Sequence, residues 1–220
     1  MSKDYGQFCG LARAASIIGE RWALLILRDL MVSPQRFSDL REGLPGVPSN
    51  VLTTRLRELE SSGIIARHVM PLPRRGTVYA LTDYGQTLEP ILDALGRWGA
   101  LHMVEPADGE VVTDASLAAA LRAGFHRGVA SRERTFAVAA GEARAWAKAT
   151  SAEVSIGEGA TDQADLTIVG GMALRPLLAG ELSPAEAISS GDIAVEGDES
   201  LLTEFAQIFH VPWDKSTIHH

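Results

Sequence analysis

The stretch Ser49-Asn-Val-Leu-Thr-Thr-Arg-Leu-Arg-Glu-Leu-Glu-Ser-Ser-Gly63 decides how the first half of the chain folds. Leu52, Leu56 and Leu59 fall at i, i+4 and i+7, a single apolar stripe at helical spacing. The opposite side carries Asn50, Thr53, Thr54 and Arg57. Ser49 is a capping residue type and Gly63 a stop, so the pattern predicts a helix from 49 to about 62. Working outward, Gly43-Leu-Pro-Gly-Val-Pro48 reads as a turn, and Ser33-Pro34 offers a cap and a first-turn proline to a short helix with Phe37 and Leu40. After Gly63, residues 64–70 and 77–81 read as short strands around Pro71-Leu-Pro-Arg-Arg-Gly76, which suits a hairpin tip better than a strand interior. Leu11, Ala14, Ala15 and Ile18 recur helically, and Trp22, Leu25, Ile26, Asp29 and Leu30 continue on a second helical stretch. Thr82 can cap a long helix to about Met103, kinked at Pro90. The order is that of a mainly α winged helix-turn-helix with a β-hairpin wing.

Short hydrogen-bonding side chains near a helix N-terminus, followed by one guanidinium, suit the major groove of DNA. Asn pairs with adenine, Arg with guanine, and the Thr methyl meets that of thymine. That assigns Asn50, Thr53, Thr54 and Arg57 to base edges, with Ser49 at a helix end that favours phosphate. An ordinary solvated helix face shows the same residue types, and the wing shifts the balance. Arg74 and Arg75 are adjacent cations, costly to bury and able to reach a phosphate or the minor groove. Arg36 would touch the backbone; Arg67 would do likewise or pair with an acid.

The net charge of -8 argues against nucleic acid only until its distribution is read. Residues 1–104 hold 12 Lys and Arg against 10 Asp and Glu, a net of +2, and the remainder holds 8 against 18, a net of -10. Between Arg36 and Gly76 the balance is +3, and screening confines a charge's influence to about 10 Å. Val104-Glu-Pro-Ala-Asp-Gly-Glu110 mixes turn formers and acids without periodicity. The expected organisation is a DNA-binding and dimerisation domain over 1–104, a linker over 105–110 and an acidic domain over 111–215. No apolar run approaches the roughly 20 residues of a membrane helix, and Met1–Gly10 lacks a signal peptide's apolar core, so a cytoplasmic protein without a membrane partner is expected. The single cysteine excludes an internal disulfide framework or a cysteine-rich zinc site. His68, His102, His126 and His210 are scattered, no GxSxG, P-loop or GxGxxG is present, and Asp192, Glu196, Asp198 and Glu199 read as a solvated edge. The expectation is no enzyme, no cofactor and no metal.

Cys9-Gly-Leu-Ala-Arg-Ala, Ile18-Gly-Glu-Arg-Trp22, Leu24-Leu-Ile-Leu27, Arg36-Phe37, Leu52-Thr-Thr-Arg-Leu-Arg-Glu-Leu-Glu60, Gly63-Ile64, Tyr79-Ala-Leu-Thr82 and Gly85 together resemble HxlR-type winged-helix transcription regulators. The resemblance covers about the first 103 residues, with Gly10 where the family usually has proline. It implies a homodimer built from the first helix and the long last helix, on a palindromic operator of double-stranded DNA with half-sites roughly 34 Å apart. It also singles out Cys9, because some members sense oxidants through a cysteine at that position. The other reading is a small buried hydrophobe near the dimer interface, and no Lys, Arg or His lies within three residues to lower its pKa.

Beyond the linker, residues 116–125, 172–179, 184–189 and 198–209 read as helices. Residues 134–140, 143–149, 152–157, 165–169 and 193–196 read as strands, giving a small α+β domain. Ala164-Asp-Leu-Thr-Ile168, Leu177-Leu-Ala-Gly180, Leu182-Ser-Pro-Ala-Glu-Ala187 and Gly191-Asp-Ile-Ala-Val-Glu-Gly-Asp198 resemble the sterol carrier protein type 2 family. That resemblance implies a curved sheet and helices around an apolar cavity, and hence a sensing domain for a hydrophobic small-molecule effector. Trp146, Met172, Leu177, Phe205 and Phe209 are its candidate lining, or else plain core. The competing reading is a lipid or metabolite carrier whose winged helix serves only dimerisation or protein interaction.

Overall fold

Leucines at helical spacing need a partner surface, and the first elements supply one. The structure, a computed structural model, describes residues 5–70, 76–103 and 107–211. The chain divides into two units, Met1–Leu92 and Asp93–His220. In the first, α1 (Gly10–Ile18), α2 (Ala23–Val32), α3 (Phe37–Gly43) and α4 (Ser49–Ser61) precede a hairpin of β2 (Ile65–Met70) and β3 (Gly76–Leu81). Ile26, Leu27 and Leu30 of α2, Leu40 of α3, Leu44 and Val47 of the turn, and Leu52, Leu56 and Leu59 of α4 form one buried cluster, closed by Ile64 and Ile65. Burying each such side chain contributes roughly 1.5–3 kcal/mol, which makes the α4 stripe the anchor of the unit.

Several boundaries differ from the sequence reading, each for a local reason. Ser33-Pro34 does not open a helix: Gln35–Arg36 form a short strand, β1, which pairs antiparallel with β3 (Arg36 opposite Val78), and α3 starts at Phe37. The Asp39 carboxylate, accepting from the Arg36 backbone N–H at 3.1 Å, caps that start. Pro48, not Ser49, holds the N-cap position of α4; Ser49 is the first helical residue. Trp22 precedes α2 in the left-handed region (φ 79°) instead of lying on it. The long helix after Thr82 is two pieces, α5 (Asp83–Gln86) and α6 (Glu89–Ala100). Pro90 has no N–H and crowds the preceding turn, so it is accommodated in the first turn of a restarted helix rather than as a mid-helix kink. Thr82 does cap, its hydroxyl oxygen accepting from Gly85 N at 3.0 Å. Gly85 is required there, since a Cβ would lie 2.1 Å from the Ile64 carbonyl oxygen.

In the second unit, β4 (Arg134–Ala140), β5 (Ala143–Ala149), β6 (Val154–Glu158), β7 (Leu166–Val169) and β8 (Ala194–Gly197) form one sheet in the order β6-β5-β4-β7-β8. Only β4 and β7 are parallel. Helix α7 (Asp114–Gly124) starts two residues before the expected 116 because Thr113 and Ser116 cap it reciprocally. It packs on β5 and β6 through Leu117, Ala118 and Leu121. A 3-10 turn at Gly171–Ala173, α8 (Leu174–Leu178), α9 (Pro184–Ser189) and α10 (Leu201–Ile208) complete an α+β arrangement. Phe136 of β4 meets Phe205 and Phe209 with ring centroids 5.2 and 6.0 Å away, and those two are 5.1 Å apart. No helix among the described residues is long and apolar enough to cross a membrane.

Candidate nucleic-acid interface

Helix α4 presents two sides of opposite character. Leu52, Leu56 and Leu59 are fully buried, which turns Ser49, Asn50, Thr54 and Arg57 outward as exposed residues, with Thr53 half-buried at their margin. The Thr53 hydroxyl donates to the Ser49 carbonyl at 2.7 Å, and the Thr54 hydroxyl to that of Asn50 at 2.9 Å. These bonds fix both rotamers, leaving each methyl and an oxygen lone pair available to a base edge. Arg55 is diverted sideways into ion pairs with Glu58 and, at 3.1 Å, with Glu20. Arg57 takes part in no ion pair among the described residues and is the exposed cation of this helix.

The remaining cations divide. The guanidinium of Arg36 lies against Gly76, its carbon 3.2 Å from where a Cβ there would sit, so it is half-buried beside the last rung of the hairpin ladder, Met70 opposite Gly76. Arg67 donates to Glu60 at 2.7 Å, and that hydrogen bond, followed by the charge of Glu60, raises its pKa. Of its two sequence readings, pairing with an acid is the one present. Arg74 and Arg75 lie outside the described residues.

His68, one of four scattered histidines in the sequence, lies in the fold beside the candidate interface. Antiparallel pairing puts Arg36 and His68 on either side of Val78 in one cross-strand row. Pro34, Asp39, Met70 and Ala80 complete an open groove around them. The period-2 pairing of the hairpin is the signal in the sequence, but it brings Arg36 and His68 together only through β1, whose residues carry helix-start chemistry.

Cys9 is exposed at the N-cap of α1. Backbone N–H groups of Ala12 and then Leu11 hold its thiol below the ordinary value. No cation lies within three residues, and the helix start supplies the effect instead.

The five candidate lining residues of the second unit are not brought together. Leu177, Phe205 and Phe209 are fully buried. Trp146 belongs to the opposite face of the sheet: along β5 the alanines 143, 145, 147 and 149 point to the core, while Arg144, Trp146 and Lys148 point away. Its indole lies across Gly157. Met172 is 57% exposed. An open depression lined by His126, Val129, Ala206, Gln207 and His210 flanks α10, whose buried side carries Phe205.

Residues 17–106 match the model of the HxlR-like helix-turn-helix family. The HTH-type transcriptional regulator YvaP of Bacillus subtilis (strain 168) is 38% identical over 95 residues, covering 43% of this chain and 87% of that protein. An HTH-type transcriptional regulator of Methanothermobacter thermautotrophicus is 40% identical over 99 residues, covering 45% and 76%. Among solved structures, the reduced form of the transcriptional regulator YodB from B. subtilis is 34% identical, covers 46% of this chain and all of its own, and superposes with a TM-score of 0.39. The matched residues span the α2–α6 frame that holds the exposed face of α4, and the chain belongs to the HxlR-like helix-turn-helix family of transcription regulators.

Proposed function

We propose that the protein binds operator DNA as a homodimer, with α4 in the major groove and the wing on the flanking backbone. The observation that carries this reading is the exposed row Ser49, Asn50, Thr54 and Arg57, opposite a fully buried leucine stripe. Asn50 and Arg57 read bases, the threonine methyls meet thymine, and Arg36, Arg74 and Arg75 neutralise phosphates, with His68 beside Arg36. The dimer reading draws on Ile91, Leu95 and Trp98, at i, i+4 and i+7 of α6 and all exposed, Trp98 by 64%. A contiguous apolar stripe of this kind marks an interaction face. Fluorescence anisotropy with a duplex from the region upstream of the protein's own gene tests the DNA contacts. Arg57→Ala weakens binding at particular sequences by about 1–3 kcal/mol, whereas Arg74→Ala weakens all sequences and lowers the salt slope by about 1. Equal effects of both substitutions on all sequences would sink the direct-readout assignment.

The acidic second unit is proposed as the sensing module for an apolar small molecule, seated in the depression beside α10 that His126, Val129, Ala206, Gln207 and His210 line. Trp146 and Met172 lie outside this site. Native mass spectrometry of the full chain checks it. A co-purifying apolar adduct displaced by Ala206→Trp supports the assignment, and an adduct indifferent to that substitution contradicts it.

A further inference from the structure

Helix α6 carries a third face besides its core residue Leu92 and its exposed stripe. Asp93, Gly96 and Arg97, at i, i+3 and i+4 and all within the second unit, meet the C-terminal end of α7. Arg122 Nε donates to Asp93 Oδ1 at 2.9 Å, and the two side chains are only 10% and 13% exposed. Arg97 Nη1 donates to the Ala123 carbonyl at 2.9 Å, satisfying one of the last carbonyls of α7 where the helix dipole favours a cation. A Cβ at Gly96 would sit 3.8 Å from that of Ala123, so small residues face each other where the two helices approach.

We propose that this contact is the positioning element through which the second unit governs self-association. It rests on the dimer reading above. The residues that pair two copies include Leu95 and Trp98, which follow Asp93 on the same rigid helix. An ion pair this buried cannot open on one side without leaving an uncompensated charge, so α6 and α7 move together or separate together. Arg122 Nη1 is nevertheless buried with no hydrogen-bond partner among the described residues. A half-satisfied buried network is a shallow minimum rather than a weld. The far side of α7 rests on β5 and β6, and Phe125, just after α7, bridges to Phe209, just after α10. A change in the apolar centre of the second unit therefore reaches the pairing stripe through two packed elements. Asp93 and Arg122 act through α6 and make no contact with DNA in this account.

The test is the dimer dissociation constant of the full chain, by sedimentation velocity over a dilution series, with circular dichroism melts alongside. Arg122→Gln strands Asp93 and raises the constant by roughly tenfold or more. Adding Asp93→Asn removes the stranded charge and recovers most of that loss, and dissociation measured well below each variant's melting transition separates this from general destabilisation. Arg97→Met, at an exposed position where no buried charge is left behind, raises the constant by roughly threefold and decides the matter if Arg122→Gln fails to fold. A dimeric wild type whose folded variants all stay within about twofold of it overturns this inference alone. A wild type that remains monomeric overturns the dimer reading and this inference with it.

Discussion

Arg55 and Arg57 stand two residues apart on α4 and face different surroundings. Arg55 turns toward Glu20 and Glu58, tying the start of α2 to the helix-turn-helix, while Arg57 reaches solvent without an ion-pair partner among the described residues. The leucine spacing alone separates them: 100° per residue puts Arg57 opposite the core and Arg55 at the flank. Cys9 shows a different residue-scale effect. Its thiol is fully exposed and its pKa is lowered by backbone N–H groups of Ala12 and Leu11, because a helix start stabilises the thiolate. The sign follows directly: a lowered pKa keeps the thiolate populated to lower pH than in an unstructured peptide. Alkylation by iodoacetamide across pH, followed by mass spectrometry, is expected to show a midpoint below that of a peptide spanning residues 5–13. Coincident midpoints would mean that the helix start does nothing for this thiol.

At the scale of elements, α4 is held by its stripe, and the stripe sets the orientation of the candidate reading face. Leu56→Ala is expected to destabilise the first unit by about 2–5 kcal/mol, read as a shifted urea midpoint with an unchanged slope. A loss below about 1 kcal/mol would indicate that the site collapses and that α4 is not anchored there. Periodicity makes α2, α4 and β5 legible, since their buried residues recur at 3.6 or 2, whereas β4 is a continuous buried run. The β1 strand is not legible, because two residues carry no period and Ser33-Pro34 has the chemistry of a helix start; only pairing with β3 reveals it. The break before α6 was half-legible. Pro90 announced a disturbance, but the sequence does not state whether a helix bends at its proline or restarts so that the proline falls in the first turn. The candidate lining of the second unit is divided between two surroundings for a related reason. Residue type selected Trp146 and Met172 as apolar, and only the alternation of β5 and the exposure of the 3-10 turn show that they leave the core.

For the whole molecule, charge and apolar surface are distributed as the proposed division of labour requires. The half that carries the helix-turn-helix is net positive, and the acidic excess resides in the half beyond residue 104. Local charge decides whether phosphates are approached, so the overall -8 does not oppose DNA binding. The family match covers residues 17–106, and the Asp93–Arg122 ion pair joins α6, inside that stretch, to α7, beyond it. The central claim, that α4 and the wing bind operator DNA, is tested most directly by the salt dependence of binding. The measurement is affinity of the full-length protein for its own upstream duplex and for a scrambled duplex between about 50 and 200 mM salt. Three phosphate-neutralising arginines per protomer predict a log–log slope of about -5 for a dimer, with the upstream duplex bound at least about a thousandfold more tightly than the scrambled one. Binding that is absent, indifferent to salt or equal for the two duplexes would contradict the account.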